Sequence, residues 1–294
     1  MLASFQLQKI IDRSLEEDLG SGDLSARILP AGLEGQAELY AKATGVMAGI
    51  EIVAQVFKRV DSRIKAEILM TDGTKVVPGT LVMQLRGPLA SILSAERTAL
   101  NFLQHLSGIA TATRKAVEQI EGLPVKITDT RKTLGGWRAL QKYAVRIGGG
   151  YNHRFGLFDA VMLKDNHIAA MGGITAAVET AYQELGHMIK LEVECESIAQ
   201  VQEALNCKAE VIMLDNMTIE QMKQAVSLID HRAVVEASGG MKTGRLREVA
   251  ETGVDVISIG ALTHSVQALD FSLDVGEMKL TTRRRLASGE TEGN

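Results

Sequence analysis

The sequence predicts an α/β protein in two parts: an α+β sandwich layer over roughly the first hundred residues, then a βα barrel of about six units. From about Ile127, short β-rich runs recur as KITD, AVMLK, KLEVE, VIMLD, AVVEAS and VISIG. Amphipathic stretches separate most of them, so strand, helix and strand alternate at a period of roughly 20 to 30 residues, the mark of parallel βα units. Before that point helices and strands mix without a repeat. Six units fall short of a barrel's usual eight, so a doubly wound open sheet is the competing architecture.

Taken in order, Leu7, Ile10, Ile11 and Leu15 fall at helical spacing and predict an opening helix. Turn-rich GSGDLSARILPAG precedes the strand-like GQAELYAKATG, and EIVAQVFKRV reads as a short helix. RIKAEILM and LVMQLRG read as strands about a turn at Asp72-Gly73. A long helix follows, because Leu100, Leu103, Leu106, Ala110, Val117 and Ile120 keep a three-four spacing with Thr113 in the gap. It bridges the two parts. Among the later helices, Ile174, Ala177, Val178 and Ala181 form one apolar stripe, and Ile198, Val201, Ala204 and Leu205 another. Ser197-x-x-Gln200 and Thr218-x-x-Gln221 are capping boxes, in which each side chain satisfies an orphan N–H. The expected domains are 1–111 and 112–268, with 269–280 returning to the first and 281–294 a tail without fixed structure.

The chain has 294 residues, 46% of them apolar, and a formal net charge of −4. That balance argues against a broad nucleic-acid-binding face but leaves room for a local basic pocket. No run approaches the ~20 apolar residues of a membrane span, and the acidic N-terminus lacks signal-peptide architecture, so the expected location is cytoplasmic. Cys195 and Cys207 lack metal-ligand spacing and read as reduced thiols.

Against this mild acidity stands DTRKTLGGWRALQKYAVRIGGGYNHR, residues 129–154. It carries Arg131, Lys132, Arg138, Lys142, Arg146, His153 and Arg154 against one acid, Asp129. Strand alternation shows where such charges point. Leu191 and Val193 suit a helix-facing side, which leaves Glu192 and Glu194 inside the barrel. By the same argument Asp215, Lys164, Glu236, Ser238, Ser258 and Gly260 face inward, and Arg131 ends or follows the first strand. Arg131, Lys164, Glu194, Asp215, Ser238 and Gly260 therefore meet at one mouth, where barrels place active sites. Burying so many charges unpaired would cost several kcal/mol each, which favours a catalytic reading over a structural one.

Ser238-Gly239-Gly240 after one strand and Gly260 after the next suit a phosphate, since glycine lets backbone N–H groups approach an anion. Glu194 and Asp215 suit ribose hydroxyls or a Mg²⁺ brought in by a pyrophosphate, the plainer alternative being salt bridges to Lys164 or Arg131. Lys164 has a second reading as a Schiff-base lysine. Acids beside it would hold it charged and favour anion binding.

ITDTRKT, AVRIGGGYNHR, FDAVMLKDNH, KLEVE, VIMLDN, VEASGG and DVISIGALTHS, in this order, resemble the quinolinate phosphoribosyltransferase family. LEEDLGSGDLS and ERTALNFLQHLSGIAT extend the resemblance over residues 15 to 273. The resemblance implies an N-terminal open-sandwich domain, an incomplete barrel of six to seven strands, and a homodimer or larger assembly with shared active sites. It implies transfer of phosphoribose from phosphoribosyl pyrophosphate to quinolinate, with decarboxylation to nicotinate mononucleotide. By similarity Arg131, Lys132, His153, Arg154 and Lys164 grip quinolinate, and Arg97 reaches in from a second subunit. On its own spacing Arg97 reads as a solvated helix cation. Lys164, Glu194, Asp215, Ser238, Gly239, Gly240 and Gly260 would bind phosphoribosyl pyrophosphate, with Glu194 and Asp215 candidates for Mg²⁺. Lys132, Lys164, Glu194 and Asp215 form the expected catalytic set. No nucleic acid or membrane partner is implied.

The chain departs from the family where a proline usually follows the Arg-Lys pair: it reads Thr133-Leu134-Gly135-Gly136, a looser loop. Trp137 reads as packing, His167 as orienting the loop after its strand, and His105 as a polar or interface residue. The Arg283–Arg285 run belongs to a solvated tail. The rivals are a relative with another acceptor, such as the molybdenum-transport-associated homologues, a non-catalytic phosphosugar sensor, and a Schiff-base aldolase.

Overall fold

The computed structural model describes residues 4–241 and 244–280; the expected tail and its arginine run lie outside them. In chain order the first elements are α1 (Ser4–Leu19), β1 (Leu33–Ala41), β2 (Gly45–Val46), α2 (Ile50–Val60), β3 (Lys65–Ile68), β4 (Lys75–Val76), β5 (Leu81–Pro88) and α3 (Leu89–Gln119). There follow β6 (Lys126–Thr128), α4 (Arg138–Ile147), β7 (Val161–Leu163), α5 (Asp165–Met171), α6 (Ile174–Glu184), β8 (Leu191–Cys195) and α7 (Ile198–Asn206). The last are β9 (Val211–Asp215), α8 (Ile219–Ile229), β10 (Val234–Ser238), α9 (Leu246–Ala250), β11 (Val256–Ser258), α10 (Ala261–His264) and β12 (Phe271–Leu280).

The described residues form two compact units, one holding residues up to 44 with 49–104 and 269 onward, the other 45–48 with 105–268. The first is built on a four-stranded antiparallel sheet in the order β12-β1-β5-β3. Along β1 the alternation is visible in burial, with Ala37, Leu39 and Ala41 inside. Leu39 pairs with Met83 and Ala37 with Leu85, all without exposed surface. Burying each large apolar side chain contributes about 1.5–3 kcal/mol. The Asp72-Gly73 turn does more than reverse the chain. Its carboxylate accepts the N–H groups of Gly49 (2.8 Å) and Ile50 (3.0 Å), which satisfies the N-terminus of α2.

The division between the two units falls at 104, inside α3. Ala48 N–H donates to Ser107 Oγ (3.0 Å) and Val46 N–H to Thr111 Oγ1 (2.9 Å), which joins 45–48 to the second half of the helix. On the helix itself Leu100, Leu103, Leu106, Ala110 and Thr113 are buried, and Ala116 takes the place in the stripe that half-buried Val117 was expected to fill.

The second unit carries a parallel six-stranded sheet, β6-β11-β10-β9-β8-β7. From β7 to β11 each βα unit adds its strand beside the preceding one, and β11 lies beside β6, with Val256 beside Lys126 and Ser258 beside Thr128. β6 and β7, consecutive in the chain, lie at opposite edges of this order, which suits an incomplete ring open between them and not a doubly wound sheet, whose strand order reverses near its middle. Tyr151 supplies a seventh, single-residue parallel bridge on the other side of Thr128. Among the described residues no ladder joins it to β7, and the ring stays incomplete at that seam. The helices lie on the outside by their stripes, Ala177 and Val178 on α6 and Val201, Ala204 and Leu205 on α7. Thr218 and Gln221 form the full capping box; Ser197 accepts the Gln200 N–H, but the Gln200 side chain reaches the Glu196 N–H instead.

Candidate active site

Every second residue of the barrel strands points into the ring, and the ends of those strands open into one cavity of ≈ 770 Å³. Arg131, Lys132, His153, Arg154, Lys164, Glu194, Asp215, Ser238, Gly239, Gly240 and Gly260 all line it. Arg97 does not; it is an exposed cation on α3 in the other compact unit.

The cation-rich segment divides its charges between structure and cavity. Lys142 is buried on α4 against Asp129, itself without exposed surface, and also donates to the His153 carbonyl (3.0 Å). Asp129 further accepts from Asn152 Nδ2 (2.6 Å) and the His153 N–H (2.9 Å), so this buried pair sets the path of residues 152–154. Arg138 ties Thr133 Oγ1 (2.9 Å) to the Phe155 carbonyl (3.1 Å), and Arg146 stacks on the Tyr151 ring (5.1 Å). What remains for the cavity is Arg131, Lys132, His153 and Arg154. Burial first, and then the charge of Arg131, lower the Arg154 guanidinium from its usual range. Arg131 Nε is buried without a hydrogen-bond partner. Two cations held together with a vacant donor form a receptor for a multiply charged anion.

Beneath them lies a cluster the sequence pointed inward without assigning a role. His153 Nε2 faces Glu192 Oε2 at 3.3 Å and Glu236 Oε1 at 3.5 Å. Burial opposes charge on the imidazole, but hydrogen bonds and charges from the two carboxylates outweigh it and raise the ring to about 10. Glu192 is also raised, by burial first and by the charge of Glu236. The Arg154 backbone nitrogen lies 2.8 Å from His153 Nδ1 and holds the ring in place. These three are also the one set of close ligating groups among the described residues.

Across the cavity Lys164 Nζ is ion-paired with Glu194, and Asp215 accepts from Asn216 Nδ2 (2.6 Å). Glu194 and Asp215 lie on adjacent strands. They offer hard oxygen donors that fit Mg²⁺, which binds one or two carboxylates together with substrate phosphates. Gly239 adopts φ +87°, and a Cβ there would collide with the Asn216 side chain, so the SGG turn requires glycine at this place. His167 Nδ1 accepts the Lys164 N–H (3.1 Å) and thereby caps α5, orienting the turn after β7. Sequence reasoning passed over His264, Met162 and Met213, which also line the cavity. The methionines were legible as the inward partners of Val161, Leu163, Ile212 and Leu214, and His264 as the residue one helical turn beyond Gly260.

Comparison with known proteins decides the family. The model described as quinolinate phosphoribosyl transferase, N-terminal domain, matches residues 23–107, and that of the C-terminal domain matches 109–274. The chain belongs to the quinolinate phosphoribosyltransferase family. A probable nicotinate-nucleotide pyrophosphorylase [carboxylating] of Bacillus subtilis is 45% identical over 270 residues, 92% of this chain and 93% of that protein. Quinolinate phosphoribosyltransferase [decarboxylating] 2a, mitochondrial, of Nicotiana tabacum is 40% identical over 303 residues, 96% of this chain and 86% of that one. Among solved structures, NadC from Streptococcus pyogenes superposes with a TM-score of 0.90 at 40% identity, covering 96% of this chain and 99% of that one. No helix among the described residues of this family member is long and apolar enough to cross a membrane.

Proposed function

We propose that the protein transfers the phosphoribosyl group of phosphoribosyl pyrophosphate to quinolinate with loss of CO₂, forming nicotinate mononucleotide for NAD biosynthesis. The observation that carries this reading is the single cavity at the strand ends, with Arg131, Lys132 and Arg154 among its cations and Glu194 and Asp215 among its acids. Family membership names the chemistry that such a cavity serves. A pyridine dicarboxylate and a pyrophosphorylated sugar are both multiply anionic, and this pocket answers both with fixed cations.

In this reading Arg131, Lys132, His153, Arg154 and Lys164 hold the quinolinate carboxylates, and Arg97 of a second copy in a homodimer completes the grip. Ser238, Gly239, Gly240 and Gly260 present backbone groups to the 5′-phosphate. Lys164, Glu194 and Asp215 hold the ribose and pyrophosphate end. Mg²⁺, held by Glu194 and Asp215 with the pyrophosphate, would supply charge compensation for the leaving group.

The pyridine nitrogen donates its lone pair to ribose C1 while the C1–oxygen bond breaks and its electron pair leaves with pyrophosphate. Glu194 and Asp215 stabilise the positive charge that develops on the sugar. The ring nitrogen is then cationic. When the adjacent C–CO₂ bond breaks, the electron pair left on ring carbon is stabilised by that cation, and a proton fills the vacated position. No covalent enzyme intermediate is required, and positioning supplies much of the rate. The ion pair of Lys164 with Glu194 argues against an imine-forming role for this lysine. A cytoplasmic location completes the proposal.

The test is an assay of purified protein with quinolinate, phosphoribosyl pyrophosphate and Mg²⁺, following CO₂ and nicotinate mononucleotide, with nicotinic acid run beside it. Quinolinate-dependent CO₂ release is expected, and Lys132→Ala loses most turnover while staying folded. Absence of product at saturating substrates overturns the reading.

A further inference from the structure

We propose that Thr263 and Gln141 are positioning residues that set Lys132 in the reacting geometry, an inference that rests on the catalytic reading of Lys132. The loop that follows Lys132 has little lateral support of its own. A Cβ added at Gly135 or Gly136 would meet nothing within 4 Å, and Gly136 sits at φ +77°. Besides the Arg138 bond to Thr133 Oγ1, a set of buried hydrogen bonds fixes the loop at its start.

Gln141 is fully buried on α4, and its amide is used at both ends. Oε1 accepts the Leu134 N–H at 2.9 Å, and Nε2 donates to the Thr263 carbonyl at 3.1 Å. The Leu134 amide can only donate and the Thr263 carbonyl only accept, so the amide cannot be turned over. Nε2 therefore also donates to His105 Nε2, 2.8 Å away, which requires a lone pair there and a proton on Nδ1. Burial lowers the His105 imidazole from its ordinary value, in keeping with a neutral ring. Trp137 lies edge-on against that ring at 5.6 Å.

The second anchor acts on Lys132 directly. The Thr263 hydroxyl, 2% exposed as a residue, donates to the Lys132 carbonyl at 2.6 Å. From the other side the Lys132 N–H donates to Thr130 Oγ1 at 3.1 Å. The lysine stem then runs over Gly260, where a Cβ would come within 2.9 Å of Lys132 Cδ. Backbone and stem of one cavity-lining cation are thus located by α10, α4 and the absence of a side chain at Gly260. Every donor and acceptor described in this brace is matched, the condition under which a buried polar network specifies one geometry.

The experiment compares Thr263→Val, which removes the hydroxyl at nearly constant shape, with Thr263→Ser, which keeps it. Thr263→Val is expected to lower kcat roughly tenfold, the scale of one lost hydrogen bond, while Thr263→Ser stays within about twofold of wild type. Both should melt within a few degrees of wild type. Gln141→Met releases Leu134 and Thr263 together and should lower kcat by up to roughly 100-fold. Equal losses in the valine and serine variants, or wild-type turnover in Thr263→Val, overturn the inference. Should Thr263→Val fail to fold, Gln141→Met decides, and wild-type kcat there has the same force. Lys132→Ala, run in parallel, separates the two levels. Turnover retained in Lys132→Ala removes the reading beneath, whereas an inactive Lys132→Ala beside a fully active Thr263→Val removes the brace alone.

Discussion

Asp129→Ala is the substitution whose cost follows most directly from the structure. The carboxylate is fully buried, the Lys142 side chain is 4% exposed, and burial opposes ionisation of both: it pushes the Asp129 carboxyl up and the Lys142 ammonium down. A buried pair of this kind contributes little net stability, because two desolvation costs offset its attraction. Breaking it is another matter. In Asp129→Ala the ammonium keeps the His153 carbonyl at 3.0 Å but loses its counter-charge, and the His153 N–H loses its acceptor. Removing one partner of a buried ion pair costs about 3–5 kcal/mol, a large fraction of the roughly 5–15 kcal/mol that holds a domain together. Lys142→Met in the same chain removes the stranded cation, so the double variant should be more stable than Asp129→Ala. The non-additivity should reach roughly 1–3 kcal/mol. The assay is urea unfolding at pH 7 of both single variants and the double. A cost below about 1 kcal/mol for Asp129→Ala, or effects additive within about 0.5 kcal/mol, would refute the reasoning.

The floor of the cavity predicts a pH dependence. His153 is raised from 6.5 to about 10, so the stability it contributes is complete below about 6.5 and is lost as pH rises through 10. Unfolding free energy measured from pH 6 to 10 should therefore decline, and Glu236→Gln should flatten the decline; an unchanged slope in that variant would dissociate Glu236 from the effect. At the mouth, Gly239→Ala meets both a positive φ and the Asn216 side chain, and should raise KM for phosphoribosyl pyrophosphate with little effect on KM for quinolinate. Equal changes in the two constants would count against a phosphate role for that turn.

Much of this protein is written locally. Alternation along KLEVE and VIMLD was enough to place Glu192, Glu194 and Asp215 inside the ring, because successive side chains of a strand must leave on opposite faces. Thr218 and Gln221 announced the start of α8 because a capping box needs residues three apart. The same locality explains what was not legible. By composition the seven cations between Arg131 and Arg154 are alike, and only the family resemblance set four of them apart; in the structure Lys142 serves Asp129, and Arg146 serves Tyr151. Composition reports charge, and charge alone does not say whether a side chain faces the cavity or the interior of its own unit.

The chain by itself thus determined the strand and helix order, the inward set of each strand, and the concentration of basic groups at one mouth. All of these depend on neighbours within a few residues. Tertiary structure alone decided the pairings that give the mouth its chemistry. His153 meets Glu192 and Glu236 only because the ring brings three separate segments to one floor. Gln141 meets Thr263, 122 positions away, only because the last strand returns to the first. Contacts at such separation depend on how the whole chain closes, and no local period encodes that.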